Sequence, residues 1–211
     1  MNAVAESTTG IKRADLPAIG AALGGGFYTG VIVINGVHHA LITAPKSAEV
    51  EGEWGCYGKT ITGADSYADG LANTRGMAEA GSEIAQKVLA QTTGGFTDWA
   101  IPARDQQELQ FRAFKPGDQD NSESFRDGDN PSSVPPGYPY TEELPAQTAV
   151  DTFKEGGAEA FEQAWYFAST QYAHYSDDGA WGQSFSNGGQ GILYKYGGYY
   201  VRPVRTLPVV D

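Results

Sequence analysis

Two β-branched runs separated by Asn35-Gly36 form the clearest pattern in the chain. Phe27-Tyr28-Thr29-Gly30-Val31-Ile32-Val33-Ile34 precedes the pair and Val37-His38-His39-Ala40-Leu41-Ile42-Thr43-Ala44 follows it. Asn and Gly accept the positive φ angles of a type I′ turn, so the stretch reads as a hairpin. After a Gly-rich passage around Trp54-Gly55-Cys56-Tyr57-Gly58, Met77, Ile84, Val88 and Leu89 recur on a rough helical period. They predict a helix starting near Asn73 and stopping before Gly94-Gly95. A shorter helix is expected after Pro102, with Leu109 and either Phe111 or Ala113 inward, ended by Pro116-Gly117. A short helical segment at 158–163 leads to a strand opened by Trp165-Tyr166-Phe167. Residues 180–186, 190–196 and 199–205 then alternate as three strands of a meander, turning at Asn187-Gly188-Gly189 and Gly197-Gly198.

Two helices flanked by early and late strands imply an α+β domain. We expect two main helices and one small twisted antiparallel sheet in which the terminal strands meet. Residues 1–22, polar and then rich in Ala and Gly, read as an N-terminal arm, and 23–211 as the domain. Within it, 115–150 is dominated by Pro, Gly, Asp, Ser and Glu. Such a length without apolar content points to a functional loop, an excursion onto a neighbour, or disorder.

Composition narrows the functions. Hydrophobic residues make up 40% and charged residues 19%, which suits a packed core rather than a disordered chain. The net charge of −12, with no Lys/Arg cluster, argues against nucleic-acid binding. No apolar run is long enough to span a bilayer. Met1 to Gly10 shows neither a basic start nor an apolar run, so no export signal is expected and the product should be cytosolic when made. Cys56 stands alone, which excludes an internal disulfide and a cysteine-rich zinc site.

Several motifs carry a family resemblance. Gly95-Phe96-Thr97-Asp98-Trp99-Ala100-Ile101-Pro102-Ala103-Arg104-Asp105-Gln106-Gln107-Glu108-Leu109 resembles a "GxxDWrLPtrdElxlL" signature. Trp165-Tyr166-Phe167-Ala168-Ser169-Thr170 resembles "yWSST", and Trp181, Phe185-Ser186-Asn187-Gly188-Gly189-Gln190 and Val201-Arg202-Pro203-Val204-Arg205 resemble a closing "W…FsnGgq…VRpVR". Together they resemble the Lcl C-terminal domain family, which is similar in fold to C-type lectins and to the formylglycine-generating enzyme. The likeness covers roughly residues 24–113 and 158–206. It departs at Ala103, where the family prefers Ser or Thr, so the second helix lacks its usual cap. The family occurs in bacterial adhesins and phage virion proteins, which implies ligand binding rather than catalysis. Some lectin-like relatives vary their last strands to change ligand, here 180–186 and 190–200.

Trp99, Trp165, Trp181 and Phe185 sit at motif positions and are expected to fill the core. Arg202 and Arg205 are read as structural ion pairs, with Asp98 as one partner. Tyr172, Tyr175, Tyr194, Tyr196, Tyr199 and Tyr200 are too many for one face of a short meander, so alternation sends some outward as a recognition surface. Gln183 and Asn187, with Ser184 and Gln190, would add hydrogen bonds to a sugar or protein ligand. In the acidic loop, Asp118-Gln119-Asp120-Asn121 and Asp127-Gly128-Asp129-Asn130 alternate oxygen donors that could hold calcium. Neither EF-hand spacing nor the Glu-Pro-Asn or Trp-Asn-Asp triplets of calcium-dependent lectins is present, so a solvated or partner-contacting loop is the first reading.

Catalytic signals are thin. Gly182-Gln183-Ser184-Phe185-Ser186 misses the nucleophile-elbow pattern, His38 and His39 lie in a hairpin, and His174 is isolated. Gly24-Gly25-Gly26 precedes a strand rather than a helix, unlike a phosphate loop. The formylglycine-generating relatives depend on cysteines absent here. The expectation is therefore a non-enzymatic virion protein of a tailed bacteriophage, without cofactor. It would be a receptor-binding tail tip or fibre component, or a head decoration protein, present as a homo-oligomer. Its arm and loop 115–150 would contact other virion proteins, and its tyrosines a host surface glycan or protein. The alternatives are a bacterial surface adhesin binding carbohydrate or protein, and an enzyme of unknown type.

Overall fold

The computed structural model describes residues 10–124, 126–172 and 177–211. Along them run β1 (Ile11–Lys12), β2 (Ala22–Leu23), β3 (Gly26–Ile34), β4 (Val37–Thr43), β5 (Val50–Glu53), α1 (Gly70–Glu79), α2 (Glu83–Leu89) and α3 (Arg104–Phe114). β6 (Ser133–Val134), β7 (Trp165–Gln171), β8 (Gly179–Ser184), β9 (Gln190–Tyr194), β10 (Gly198–Val201) and β11 (Val204–Val210) complete the α+β domain. No helix among the described residues is long and apolar enough to cross a membrane.

β3 and β4 form the expected hairpin, with Asn35 at φ 50° and Gly36 at φ 78°. These are the two left-handed positions that a type I′ turn demands. β11 pairs antiparallel with β4 and parallel with β1, so the ends of the described chain meet in one sheet, ordered β1-β11-β4-β3-β2 with β6 on β3. A second sheet, ordered β5-β10-β7-β8-β9, replaces the single small antiparallel sheet read from the sequence. The run 199–205, expected as one strand, is divided by Pro203. A proline has no N–H to donate to a ladder, and the chain changes sheet there. β8 and β9 make a hairpin, but β10 does not continue the meander. It pairs with β5 and, in parallel, with β7. Tyr199 sets its ring edge-on to Phe167 at 4.8 Å and Tyr200 packs on Tyr166 at 5.4 Å, contacts that β10 could not make beside β9.

The first predicted helix is two helices, α1 and α2, separated at Gly81 with φ 98°. Asp69 caps α1, its carboxylate accepting from Ala72 N at 3.0 Å. Asn73, expected at the cap, is buried one turn inside and braces the preceding loop through the N–H and C=O of Ser66. α3 begins after Ala103. The missing cap hydroxyl is offset by Gln106 Oε1, which accepts from Ala103 N at 2.8 Å and Gly70 N at 3.1 Å. Leu109, Phe111 and Phe114 are buried, with Ala113 only half-buried. Residues 158–163 form no helix. Gly156 and Gly157 follow a 3₁₀ turn at Asp151–Phe153, and Phe161 instead inserts its ring against Phe185 at 4.1 Å.

One core gathers Trp54, Trp99, Met77, Ile84, Val88 and Phe167 between α1, α2 and the sheets. A second is almost entirely aromatic: Phe111, Phe114, Tyr140, Phe153, Phe161, Tyr166 and Phe185. Each such ring contributes about 1.5–3 kcal/mol by burial. Of the four rings assigned to the core by sequence, Trp99, Trp181 and Phe185 are buried, whereas Trp165 is 37% exposed. Tyr166 points into the aromatic core, so strand alternation turns Trp165 to the opposite face, where its indole lies beside Gly191.

The segments set apart as arm and loop are built into this fold. Ile11 and Lys12 pair with Val209 and Val210 at one edge of the first sheet, and Ala22 and Leu23 pair with β3 at the other. Residues 1–9 lie outside the described residues. Residues 115–150 pack back on the domain, with Lys115, Asn121, Asp127, Asn130, Ser133, Tyr140 and Thr148 buried and β6 paired to β3. Of the three readings open for this segment, its described residues fit a loop packed on its own domain. The loop is poor in apolar residues because its attachment is polar. Arg104 Nη1 donates to Asp129 O at 2.6 Å, Arg112 Nη2 to Gly128 O and Tyr138 O at 2.9 Å, and Asn130 Nδ2 to Asp105 O at 2.8 Å and Glu108 Oε2 at 2.6 Å. Buried charge-assisted hydrogen bonds of this kind hold the segment alongside the ring contact of Tyr140.

Candidate ligand-binding surface

At the end of β9 the strand alternation runs Leu193 in, Tyr194 out, Lys195 in, Tyr196 out. Lys195 is only 1% exposed. Its Nζ donates to Lys59 O at 2.7 Å and sits 4.6 Å from the centre of the Trp54 ring. Its backbone is equally committed, since its N–H donates to Asp178 O at 2.8 Å and its C=O accepts from Gly55 N at 3.1 Å. Burial pushes the Lys195 ammonium below the usual lysine value, against the pull of Cys56, Asp177 and Asp178. The inward lysine thus ties loop 55–60 to the turn that carries the two outward tyrosines.

That tie places Tyr57 against Tyr196. Their rings lie 5.2 Å apart at 70°, and Tyr194 stacks on Tyr196 at 5.2 Å and 12°. Tyr57, Tyr194 and Tyr196 are 54%, 60% and 53% exposed. Asp178 holds the loop from the other side. Its Oδ1 accepts from Gly58 N at 3.1 Å, which brings its negative charge close to the Tyr57 side chain. The Asp178 charge is the main reason the Tyr57 phenol is raised above its ordinary value, with slight desolvation and the two neighbouring tyrosines adding to it. Thr60 Oγ1 donates to Asp177 Oδ1 beside it. Ile192, the next outward residue of β9, is also exposed and is seated over Gly179, where a Cβ would come within 2.6 Å of it.

Among the described residues, Tyr194 and Tyr196 are the sequence-assigned binding residues that share this surface. Tyr199 and Tyr200 are half-buried in the ring contacts of β10. Tyr172 is half-buried with its ring edge-on to Trp181 at 5.5 Å, and Tyr175 lies outside the described residues. Gln183 is a correction. It is buried, and its Nε2 donates to Tyr140 Oη at 3.1 Å and Gly188 O at 3.0 Å, so it braces the loop rather than meeting a ligand. Asn187 uses its Oδ1 within its own turn, accepting from Gly189 N at 3.2 Å. Tyr57 was missed because it lies 137 residues before Tyr194 in the chain, and its one local signal is the turn-rich Gly55-Cys56-Tyr57-Gly58.

In the acidic loop Asp118 and Asp120 are exposed, whereas Asp127 and Asp129 bond to protein groups. Asp127 accepts from Gln190 N at 2.8 Å and Ser124 N at 3.2 Å, and Asp129 pairs with Arg126 at 3.3 Å. Among the described residues no three His, Cys, Asp or Glu side chains converge as metal ligands. A groove of about 460 Å³ between β5 and α2 brings Glu53, Glu83 and Lys87 to one opening. The motif arginines are structural: Arg205 grips Asp98 through two bonds of 2.7 and 2.9 Å, and Arg202 Nε donates to Glu49 at 2.9 Å. The chain matches no protein-family model and no curated protein.

Proposed function

We propose that this chain is a non-enzymatic binding module that presents Tyr57, Tyr194 and Tyr196 to a ligand on another molecule. The observation that carries this reading is three mutually packed tyrosines, each more than half exposed, on a rim fixed by the buried Lys195. Large rings kept in water gain little for folding, while they give a recognition surface much contact area at low entropic cost. The motif residues that resemble the Lcl C-terminal domain support a C-type-lectin-like scaffold, because Trp99 and Phe185 are buried in the two cores and Arg205 pairs with Asp98. On the same resemblance, the setting is the particle of a tailed bacteriophage, at a tail tip or fibre facing a host glycan or protein, or on the head as a decoration protein in symmetric copies.

Two measurements test this. The protein should co-purify with phage particles, and its absence from them rejects the virion setting. Labelled wild-type chain should be retained on host cells, and the Tyr194→Ala/Tyr196→Ala variant should lose most of that retention with unchanged thermal unfolding. Equal retention of the two proteins removes the binding role of this surface.

A further inference from the structure

We propose that the tyrosine surface recognises a cationic group, specifically an alkylated ammonium such as the trimethylammonium of choline, on the ligand that the binding module takes. The inference rests on the binding reading above and adds the chemistry of the ligand.

Charge comes first. Loop 55–60 brings Tyr57 and Lys59 to the surface, the 177–178 turn brings Asp177 and Asp178, and the end of β9 brings Tyr194 and Tyr196. Lys195, between the two tyrosines in sequence, is withdrawn under Trp54 and adds no ammonium to the outside. Three half-exposed rings and the carboxylates of Asp177 and Asp178, both hydrogen-bonded to loop 55–60, therefore stand against the single exposed Lys59 of these segments. Ring faces are negative, and a cation over them is attracted by the quadrupole. The Asp178 charge beside Tyr57, held there by its bond to Gly58 N, adds to the negative potential of this surface. An anionic ligand would instead meet both carboxylates on a chain of net charge −12.

Shape comes second. Tyr57 stands at 70° to Tyr196, so the rings meet as a corner. A flat sugar ring or guanidinium stacks on a single open plane, whereas a rounded ammonium can touch both walls of a corner at once. The stacked Tyr194 backs Tyr196 and keeps that wall upright.

The test is a titration of the full chain with choline chloride, followed through tyrosine ring resonances by NMR. A parallel titration uses its uncharged isostere, in which carbon replaces the quaternary nitrogen. Saturable shifts confined to Tyr57, Tyr194 and Tyr196 are expected, with the isostere roughly tenfold weaker. Binding should weaken at about 0.5 M salt, where the carboxylate field is screened. Tyr57→Ala, which removes one wall of the corner, should weaken choline at least a few-fold, and Tyr194→Ala/Tyr196→Ala should abolish it. Equal binding of the isostere, choline binding that survives the double variant, or no choline binding each overturns the proposal. Retention on host cells that needs Tyr194 and Tyr196, without choline binding, removes this inference alone. Loss of both removes the binding surface as well.

Discussion

The junction between α3 and the 126–140 loop and the corner of Tyr57, Tyr194 and Tyr196 invert the usual arrangement in opposite ways. At the junction, Arg104, Asp105, Gln106, Gln107, Glu108 and Gln110 are buried along one helix. At the corner, three aromatic rings stand in water. Buried polar groups cost stability unless they find partners, so the junction is dense with hydrogen bonds, although Arg104 Nε and Arg112 Nη1 are buried without one. Exposed rings lose little when removed, so the corner is energetically cheap and free to serve recognition. The contrast teaches that polarity by itself located neither the inside nor the outside of this molecule; hydrogen-bond satisfaction did.

Glu108→Ala should break the comparison most severely. Glu108 accepts from Arg112 Nε at 2.9 Å, Tyr140 Oη at 2.8 Å and Asn130 Nδ2 at 2.6 Å, and all three would lose this acceptor together. A loss of about 3–5 kcal/mol in urea unfolding is expected. A loss under 1 kcal/mol would show that water replaces the carboxylate and that the junction is not closed.

The pH dependence of the same residue gives a smaller signal. Burial raises the Glu108 carboxyl above its ordinary value, against the lowering effect of Arg112 and its other hydrogen-bond donors. The folded chain therefore holds this proton more readily than the unfolded chain. The resulting stability is fully present below the unfolded carboxylate value and is lost as the pH rises through the folded one. Wild type should accordingly gain on Glu108→Gln as the pH is lowered toward the ordinary carboxylate range, measured as the difference in unfolding free energy at each pH. The opposite slope would mean that the three donors outweigh desolvation.

Lys195→Met joins the two regions' logic, since a buried cation there supports the exposed corner. The methionine keeps the packing against Trp54 but releases Lys59 O to solvent, so stability should change by about 1 kcal/mol or less. The NMR contact between Tyr57 and Tyr196 should weaken nonetheless. A corner that is unchanged by this variant would move the anchoring role to Asp178. Smallest of all, Tyr194→Ala should alter unfolding by about 0.5 kcal/mol or less, and a larger loss would place that ring in the folding core.

Where local pattern and local geometry coincide, the chain was readable. The Asn35-Gly36 hairpin and the helix after Pro102 follow from residue types that favour one outcome, and of the two motif arginines read as ion pairs it is Arg205 that takes Asp98. The Tyr199–Arg205 run was not readable as two strands in two sheets, because the alternating pattern continues across Pro203 and only the pairing partners differ. Gln183 and Trp165 failed for a related reason: alternation says that neighbours face opposite ways, but not which face another segment will cover. The acidic loop misled because a segment attached by side-chain hydrogen bonds to buried arginines and carboxylates has the composition of a solvated one.

By itself, the sequence determined the α+β class, the aromatic character of the core and a surplus of tyrosines near the carboxyl end, since these depend on periodicity, turn chemistry and residue volume. The tertiary structure alone decided which tyrosines remain in water and that Tyr57 joins them. That outcome depends on Lys195 turning inward to bind a carbonyl 136 residues away. A contact of that range leaves no local pattern, because its energy is realised only when two distant segments are already folded against each other.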